Sequence, residues 1–302
     1  MTASRTRLTA VAAVVAGTWT VGWAATSAQH VAQANPTTSQ AAPSTTPAAN
    51  RAAPGIDMRA STLIGRDVRN AQGQDLGEIQ DLIVDVNNQR VHYAVLAFGG
   101  LMGLGEKLFA YPVRLLTPSG DALVLNVSKQ QLERAPGFER NRWPDWADNR
   151  YRGQVDRYFG PTVALQPREN MQLVRASHLI GRDVDDRRGQ DAGEIEDIVV
   201  NLGNASIHYV VLDFDKAWSP DDKMVSLPMN ALRVPADRDD DLVLNVPREN
   251  IDTSDGFDDN AWPDLNDPIY QQQIDRQLPT YRPWTHSPNQ VLGADPATGT
   301  RP

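Results

Sequence analysis

The sequence contains an internal duplication. Residues 59–68, Arg-Ala-Ser-Thr-Leu-Ile-Gly-Arg-Asp-Val, return 116 positions later as residues 175–184, Arg-Ala-Ser-His-Leu-Ile-Gly-Arg-Asp-Val. At this offset 26 of the 58 positions from 59 to 116 are identical. After a three-residue insertion the match continues, with Trp-Pro-Asp at 143–145 and again at 262–264. A period this long is typical of a whole small domain rather than a solenoid unit. The chain therefore holds two copies of one domain.

The first 34 residues have the features of a secretory signal peptide. Arg5 and Arg7 precede an uncharged run over residues 8–25, and small residues follow as far as Ala34. A basic start, an apolar run and a small-residue cleavage site are typical of such leaders, so we expect cleavage after Ala34. The alternative is an uncleaved membrane anchor, because the run approaches the roughly 20 residues that a spanning helix needs.

Two segments are too poor in large apolar residues to fold. Residues 35–58 are rich in Pro, Thr, Ser and Ala, and residues 279–302 contain several prolines. Such composition is typical of disorder. We therefore divide the chain into a leader, a disordered linker, repeat 1, a second linker, repeat 2 and a disordered tail, at residues 1–34, 35–58, 59–160, 161–174, 175–278 and 279–302. We expect the two repeats to form separate, superimposable domains.

The charge of the chain is concentrated in repeat 2. The formal net charge is −9, with 13 basic and 12 acidic side chains in residues 59–157 but 10 basic and 23 acidic ones in residues 175–276. A chain this acidic lacks the clustered Lys and Arg that phosphate backbones require, so we expect no nucleic-acid partner. Extra acids that the fold does not need favour an acidic docking face on repeat 2 for a basic partner. There is no cysteine, which excludes disulfides and thiolate metal sites.

Each repeat has the pattern of a small β-barrel or sandwich. In repeat 1, residues 63–68 and 78–86 are rich in β-branched residues and flank a turn at Gly73, which predicts a hairpin. Gly73 and its counterpart Gly189 should adopt positive φ. Further strands are expected over residues 90–96, 107–111 and 122–127.

Helical segments follow each barrel pattern. Ser128 with Gln131 three residues on has the form of a capping box, which predicts a short helix. Trp143-Pro144 predicts the start of a longer helix, since proline suits the first turn. In that helix one apolar face is expected, formed by Tyr151, Val155, Tyr158 and Phe159.

These residues resemble a known family, the PRC-barrel domain, named after the photosynthetic reaction-centre H subunit. The same domain is found in ribosome-maturation factors and in stand-alone bacterial proteins. The resemblance covers residues 59–128 and 175–247, and it implies a six-stranded barrel that is used mainly for binding other macromolecules. It implies no reaction. Repeat 2 departs from the pattern at Asn201, where repeat 1 has Asp85. The residues that carry it in repeat 1 are Gly65, Val68, Gly73, Gly77-Glu78-Ile79, Asp81, Asp85 and Val91-His92-Tyr93-Ala94-Val95-Leu96.

Two histidines, His92 and His208, occupy equivalent positions in the repeats. A repeated histidine is compatible with a catalytic or metal-binding role. Each stands alone between apolar strand residues, however, and we interpret both as structural histidines that hydrogen-bond locally. The chain has no His-Glu-x-x-His or Gly-x-Ser-x-Gly motif. We therefore assign no catalytic, cofactor-binding or metal-ligating residue.

Two carboxylate pairs, Glu78 with Asp81 and Glu194 with Asp197, recur in the repeats. Their spacing of three places the two members of a pair on opposite faces of a strand, so they do not form an adjacent acid–base pair. We expect them to accept hydrogen bonds from turn amides or to form ion pairs with two arginines, Arg66 and Arg182.

Three further features have a structural and a functional interpretation. The glycine-rich stretch 99–105 lacks the lysine of a phosphate-binding loop and is interpreted as a variable loop. Trp143 and Trp262 are expected to pack under the helices rather than form a carbohydrate platform. The acidic segments could hold calcium weakly, but no complete calcium loop is present, and we expect a solvated surface. They contain Asp237, Asp239, Asp240 and Asp241 in one loop and Asp255, Asp258 and Asp259 in another.

The sequence as a whole predicts an exported protein, periplasmic or secreted, with two tandem six-stranded barrels followed by helical appendages. Its expected role is that of a non-enzymatic interaction or scaffold module in the cell envelope, with a protein partner and no cofactor. Contact with a membrane is expected only if the leader is retained. The alternatives are an enzyme with a site between the repeats that uses His92 or His208, and a calcium-responsive module on repeat 2.

Overall fold

A computed structural model describes residues 56–98, 107–160, 170–219, 221–237 and 239–280. All of these lie within one compact unit. The leader, the glycine-rich stretch 99–105 and the tail beyond residue 280 lie outside the described residues, as does nearly all of the first linker. The expectations for those segments therefore stay predictions.

Repeat 1 forms a curled, mainly antiparallel sheet. Strands β2, β3, β4 and β5 are successive antiparallel neighbours, β7 runs parallel to β2, and β6 pairs with β7. The predicted hairpin is therefore confirmed as β2–β3. The strands of repeat 1 are β1 (Asp57–Arg59), β2 (Asp67–Arg69), β3 (Asp75–Asp85), β4 (Arg90–Phe98), β5 (Lys107–Pro112), β6 (Leu116–Ser119), β7 (Ala122–Leu125) and β8 (Gly137–Glu139).

Repeat 2 builds the same arrangement. β10, β11, β12 and β13 are antiparallel neighbours, β15 runs parallel to β10, and β14 pairs with β15. The two sheets meet where Arg90 of β4 pairs with Ser206 of β12. The strands of repeat 2 are β9 (Leu173–Arg175), β10 (Asp183–Asp185), β11 (Asp191–Asn201), β12 (Ser206–Phe214), β13 (Met224–Leu227), β14 (Leu232–Arg233) and β15 (Leu242–Leu244). The expected mainly β fold, with one small barrel in each repeat, is confirmed.

Short helices connect or follow the strands. They are α1 (Ala60–Leu63), α2 (Lys129–Arg134), α3 (Asn149–Phe159) and α4 (Pro268–Gln277), with 3₁₀ turns at Val113–Leu115, Ala176–His178, Met229–Ala231, Arg248–Asn250 and Leu278–Thr280. The Ser128 capping box before α2 is confirmed. No helix in the described residues combines the length and the apolar character needed to cross a membrane.

The predicted start of the longer helix at Trp143-Pro144 is wrong. α3 begins five residues later, after Asp148, whose side chain accepts a hydrogen bond from the Arg150 amide. Aspartate is a strong helix cap because its carboxylate satisfies an otherwise unpaired amide of the first turn. In repeat 2 the equivalent cap is Asp267, and Pro268 occupies the first turn there.

Gly77 and Gly193 permit a close contact between the two longest strands of each barrel. Gly77 has φ of 110° and Gly193 has φ of 132°, both in a region that L side chains rarely adopt. A Cβ atom at these positions would lie 1.9 Å from the Ala97 carbonyl oxygen or 2.0 Å from the Asp213 carbonyl oxygen. The glycines in this motif are therefore required by backbone packing. Gly73 and Gly189 have φ of 75° and 71°, as predicted for the turn.

One continuous apolar core extends through both repeats, with a smaller cluster under each helical appendage. Val155 of α3 and Ile274 of α4 are buried in these clusters, which confirms the helical apolar faces in part. Tyr158, expected on the face of α3, is instead 39% exposed, and its hydroxyl donates to the Gln131 carbonyl.

The two repeats exchange their first strands. β1, at the start of repeat 1, pairs with β11 of repeat 2, and β9, at the start of repeat 2, pairs with β3 of repeat 1. The expectation of two separate domains is therefore wrong, because each barrel is extended by a strand that belongs to the other repeat. β1 and β9 also begin inside segments that composition assigned to linkers. Strands of three residues are too short to produce a periodic pattern.

Candidate functional site: the exchanged strands and their acceptor sites

The arginine at the end of β1 binds a buried aspartate of the opposite barrel. Arg59 Nε donates to Asp197 Oδ2 at 2.6 Å, and the Ser61 amide donates to Asp197 Oδ1 at 3.1 Å. The Ser61 hydroxyl donates to the same carboxylate, and the Ile198 amide adds a bond of 2.8 Å. Asp197 is completely buried. A buried carboxylate is tolerated when it is paired and its lone pairs are satisfied, and this one meets both conditions.

The same contacts recur where β9 meets repeat 1. Arg175 Nε donates to Asp81 Oδ2 at 2.6 Å, and Ser177 donates to Asp81 through its amide at 3.1 Å and its hydroxyl at 2.5 Å. Asp81 is completely buried, and it also accepts from the Leu82 amide at 2.9 Å. The Arg-Ala-Ser sequence that opens each repeat is thus a strand terminus that binds the other repeat.

The prediction that Arg66 and Arg182 form ion pairs with these aspartates is wrong. Arg66 Nε instead donates to the Asp121 carbonyl, and Arg182 donates to the carbonyls of Asp237 and Asp240. Asp81 and Asp197 do accept hydrogen bonds from backbone amides, but these belong to the next strand residue and to a serine of the opposite repeat rather than to the expected turn.

Glu78 and Glu194 are exposed and take no part in the acceptor sites. The register of β3 shifts between Ile79 and Asp81, and that of β11 shifts between Ile195 and Asp197. An extra residue in one strand re-aims the side chains beside it, which is a common property of β-bulges. A sequence period of two does not reveal such a shift. The signal available was the exact recurrence of both Arg-Ala-Ser and the aspartate.

The paired tryptophans cover the exchanged arginines. The Arg175 guanidinium lies 3.8 Å from the ring centroid of Trp143, and that of Arg59 lies 3.7 Å from the ring of Trp262. A guanidinium over an indole face is attracted by the ring quadrupole. Both rings also pack against a phenylalanine of the clusters under the helices. The expected packing role of the two tryptophans is confirmed. Each ring contacts the arginine of the opposite repeat as well as the apolar cluster under its own helix.

His208 links the exchanged strand to the C-terminal helix. Its Nδ1 lies 2.7 Å from Asp57 Oδ2 of β1, and its Nε2 lies 3.3 Å from Asp275 Oδ1 of α4. Burial would lower the pKa of His208, but the two carboxylates outweigh that effect and the pKa is raised. The Asn201 amide donates to Asp57 Oδ1 at 2.7 Å. The carboxylate that Asn201 lacks is therefore supplied by a strand from the other repeat.

His92 lies beside a carboxylate of its own barrel. Its Nε2 is 3.8 Å from Asp85 Oδ2. Asp85 also accepts from the Asn88 side chain at 2.8 Å and from the Gln172 amide at 3.2 Å. Burial tends to raise the pKa of Asp85, but the neighbouring His92 ring and the hydrogen bonds from Asn88 and Gln172 lower it below its usual value. His92 thus has a partner close to it in sequence, as expected, whereas both partners of His208 are distant in sequence, which corrects the expectation of a local contact there.

Acidic side chains of repeat 2 lie near one another, and two of the acidic segments' residues, Asp241 and Asp259, are among them. Burial raises the pKa of Asp185, and the nearby Asp241, Asp191, Asp186 and Asp183 raise it further. Burial likewise raises the pKa of Asp213, with Asp222 and Asp259 adding to the effect. Within the part of the chain that the structure describes, no group of three His, Cys, Asp or Glu side chains is arranged to hold a metal ion.

Comparison with protein families supports this description of the fold. The family model for the PRC-barrel domain matches the chain twice, at residues 56–132 and 171–251. Both matches include the exchanged strand and its Arg-Ala-Ser sequence. Among curated proteins, none matches the chain.

Proposed function

This chain belongs to the PRC-barrel domain family, and from that premise we propose that it is an exported, non-enzymatic interaction module that acts as a scaffold in the cell envelope. One observation carries the proposal. The buried carboxylates and the two histidines bind the exchanged strands or their neighbours, so the groups best suited to chemistry hold the two barrels to each other. Function then resides on the outer surface of a fixed pair of barrels.

The engagement of the histidines supports a non-enzymatic role over the enzyme alternative. A general base needs a ring nitrogen within reach of a substrate proton. Both ring nitrogens of His208 face carboxylates, and His92 is buried. A cavity of about 140 Å³ beside Asp185 and a wider one beside Arg134 are lined by neither histidine.

The partner we propose is a basic protein that docks on repeat 2. Repeat 1 builds the same barrel while nearly neutral, so the additional acids of repeat 2 are not needed for the fold. Clustered like charges destabilise a compact protein through self-repulsion, and they attract partners of opposite charge. The raised pKa values of Asp185 and Asp213 are the local sign of this repulsion, after the contribution of burial.

Export is the remaining part of the proposal. It is supported by the leader at residues 1–34 and by a chain that needs no reduced cysteine. A periplasmic or secreted location agrees with both features. Cleavage after Ala34 releases the protein, and retention of the leader attaches it to the membrane.

The test is an affinity capture from envelope extracts with the full chain and with a triple variant, Asp239→Asn, Asp240→Asn and Asp241→Asn. The Arg182 bonds in this loop use main-chain oxygens, so the variant keeps them. We expect the variant to bind the captured basic protein more weakly, and wild-type binding to weaken with salt as the screening length falls from about 10 Å at 0.1 M to about 3 Å at 1 M.

A matched control removes three acids from repeat 1, with Asp121→Asn, Glu133→Gln and Glu139→Gln, and should retain wild-type binding. Unchanged affinity and salt dependence in the repeat 2 variant would show that its acidity serves solubility. Calorimetry with calcium separates the proposal from the calcium-responsive alternative, which requires saturable heat that the triple variant loses.

A further inference from the structure

The two acceptor sites recognise one shared sequence. Asp197 binds Arg59 and Ser61, and Asp81 binds the equivalent pair of repeat 2 with the same atoms and nearly the same distances. Each arginine is covered by an equivalent tryptophan. These contacts therefore stabilise either strand in either barrel, and they do not determine which strand goes where.

The difference that distinguishes the two strands lies at one cross-strand pair, two residues before the arginine. Glu196, which lies 3.2 Å from Arg59 and is replaced by Gln80 in repeat 1, contacts an arginine that both strands share. In repeat 2, Asp57 lies opposite Asn201, and the amide donates to the carboxylate at 2.7 Å. In repeat 1, Leu173 lies opposite Asp85. The carboxylate is on the incoming strand in one site and on the barrel in the other. Asp57, Asn201 and Asp85 are all buried, so solvent does not screen the difference.

If each strand bound its own repeat instead, the pair would be unfavourable at both sites. If β1 bound repeat 1, Asp57 would face Asp85, and two buried carboxylates in contact repel or force one to take up a proton. If β9 bound repeat 2, Leu173 would face Asn201, leaving its buried amide without the carboxylate it now binds. An unsatisfied buried polar group destabilises the folded state.

Two residues of repeat 2 make further contacts with Asp57: Asn266 binds its main chain, as it could bind that of any strand here, and Gln271 binds its side chain. The Asn266 side chain accepts from the Asp57 amide at 2.9 Å and donates to the Asp57 carbonyl at 3.1 Å. The equivalent residue of repeat 1 is Ala147, which has no polar side chain. Gln271 adds a bond of 3.4 Å to Asp57 Oδ2. Its counterpart Arg152 donates to the Ala147 carbonyl at 3.2 Å.

We propose that the barrels are strand-binding sites of opposite preference: repeat 2 binds an extended Asp-x-Arg-Ala-Ser strand, and repeat 1 binds an Arg-Ala-Ser strand that carries an apolar residue in place of the aspartate. The occupants are the two strands β1 and β9. The Asp57–Asn201 and Leu173–Asp85 pairs direct each strand to the other repeat, and they disfavour pairing of a repeat with itself or with its own kind.

The test uses the full chain with a protease recognition sequence placed within residues 161–169. The folded protein is cleaved there, unfolded in urea, refolded by dilution and examined by native mass spectrometry. Two fragments of the same kind could also exchange strands, by the pseudo-two-fold symmetry of the repeats. We expect the wild-type fragments to form only pairs of unlike fragments, because like pairs place Asp57 against Asp85 or Leu173 against Asn201.

The decisive variant combines Asp57→Leu with Asn201→Asp, which gives repeat 2 the strand pair of repeat 1. The strands and sites then match, and we expect like and unlike pairs to approach the statistical ratio of about 1:2:1. A second variant, Asp85→Asn, gives repeat 1 an amide opposite an incoming aspartate, and like pairs of the first fragment should appear.

Met58→Val is the matched control, since it removes the other difference between the three-residue strands β1 and β9 and leaves the proposed pairs intact. It should retain exclusive unlike pairing. Like pairs in the wild type, scrambling by Met58→Val, or exclusive unlike pairing in both of the other variants would overturn the proposal. Circular dichroism of the refolded fragments verifies that the barrels have formed.

Discussion

Asp57 and His208 belong to different repeats, and their side chains meet at 2.7 Å. Asp57 stands in the strand that precedes the first barrel, and His208 stands in the second longest strand of the second barrel. The second barrel thus obtains from another part of the chain a carboxylate that the first barrel has in Asp85. Each repeat therefore has a buried carboxylate at this strand pair, on the barrel strand in repeat 1 and on the exchanged strand in repeat 2.

The first prediction concerns the pH dependence of stability. Three groups face the His208 ring: the carboxylates of Asp57 and Asp275, which raise its pKa, and the uncharged ring of Tyr209. A raised pKa means that the folded state binds the proton more tightly than the unfolded state. The stabilisation that protonated His208 contributes to the folded state is complete below pH 6.5, the ordinary pKa of histidine. It is lost as the pH rises through the higher pKa of the folded state. Thermal melts should therefore show a falling Tm over this window.

His208→Gln should remove that part of the pH dependence, and Asp275→Asn should reduce it. A His208→Gln protein whose Tm still falls by the wild-type amount over the same window would contradict the prediction.

The second prediction concerns the buried aspartates that hold the exchanged arginines. Asp81→Asn removes the carboxylate that binds Arg175, whereas after Asp197→Asn the Arg59 guanidinium keeps Glu196 at 3.2 Å. Removing one partner of a buried ion pair destabilises by about 3 to 5 kcal/mol. Because Glu196 remains beside Arg59 and its counterpart in repeat 1 is the uncharged Gln80, urea unfolding should give the larger loss for Asp81→Asn. The exposed carboxylates of the same motif serve as controls, and Glu78→Gln and Glu194→Gln should change stability by less than about 0.5 kcal/mol.

The third prediction concerns the amide opposite Asp57. Asn201→Asp places a second carboxylate in the buried pair, where like charges disfavour ionisation of both. We expect a loss of about 2 to 4 kcal/mol in urea unfolding, in line with burying an unpaired charge. Asn204→Asp, the same change three residues on, should alter stability by less than about 1 kcal/mol. Equal effects of the two substitutions would remove the special role of position 201.

The fourth prediction concerns the glycines at the close strand contact. Gly77→Ala and Gly193→Ala place a Cβ within 2.0 Å of a carbonyl oxygen, so the strands must separate. Each substitution should destabilise far more than Gly73→Ala, where a Cβ meets nothing within 4 Å and the backbone strain is of the order of 1 kcal/mol. Comparable losses at residues 73 and 77 would show that backbone conformation alone accounts for the effect.

Local signals in the sequence were sufficient for much of the fold. The turn at Gly73, the β2–β3 hairpin and the Ser128 capping box each depend on residues within a few positions of one another, and all three are confirmed. The family resemblance was confirmed as well. The start of α3 is not where Pro144 predicts it. The Asp148 carboxylate accepts a hydrogen bond from the Arg150 amide and so caps the first turn of a helix that begins at Asn149.

The candidate site depends on contacts that the sequence does not encode locally. Arg59 and Asp197 are 138 positions apart, and their meeting requires a strand of three residues to leave its own repeat. Nearby arginines, Arg66 and Arg182, were the natural partners on sequence distance alone. The bulges beside Asp81 and Asp197 also change side-chain direction without any change in composition. Identical short motifs in both repeats were the available indication of a shared, reciprocal contact.

The exchanged strands also determine when each barrel can be completed as the chain is synthesised. A chain that emerges from its N-terminus presents Asp57 long before Asn201, its partner 144 positions later. The first barrel likewise waits for Arg175, 94 positions after Asp81, before its buried carboxylate is neutralised. Contacts of such long range form slowly, because a large loop must close before they stabilise the chain. Neither barrel can be completed during synthesis of the first half of the chain, so each depends on the other half for its last strand.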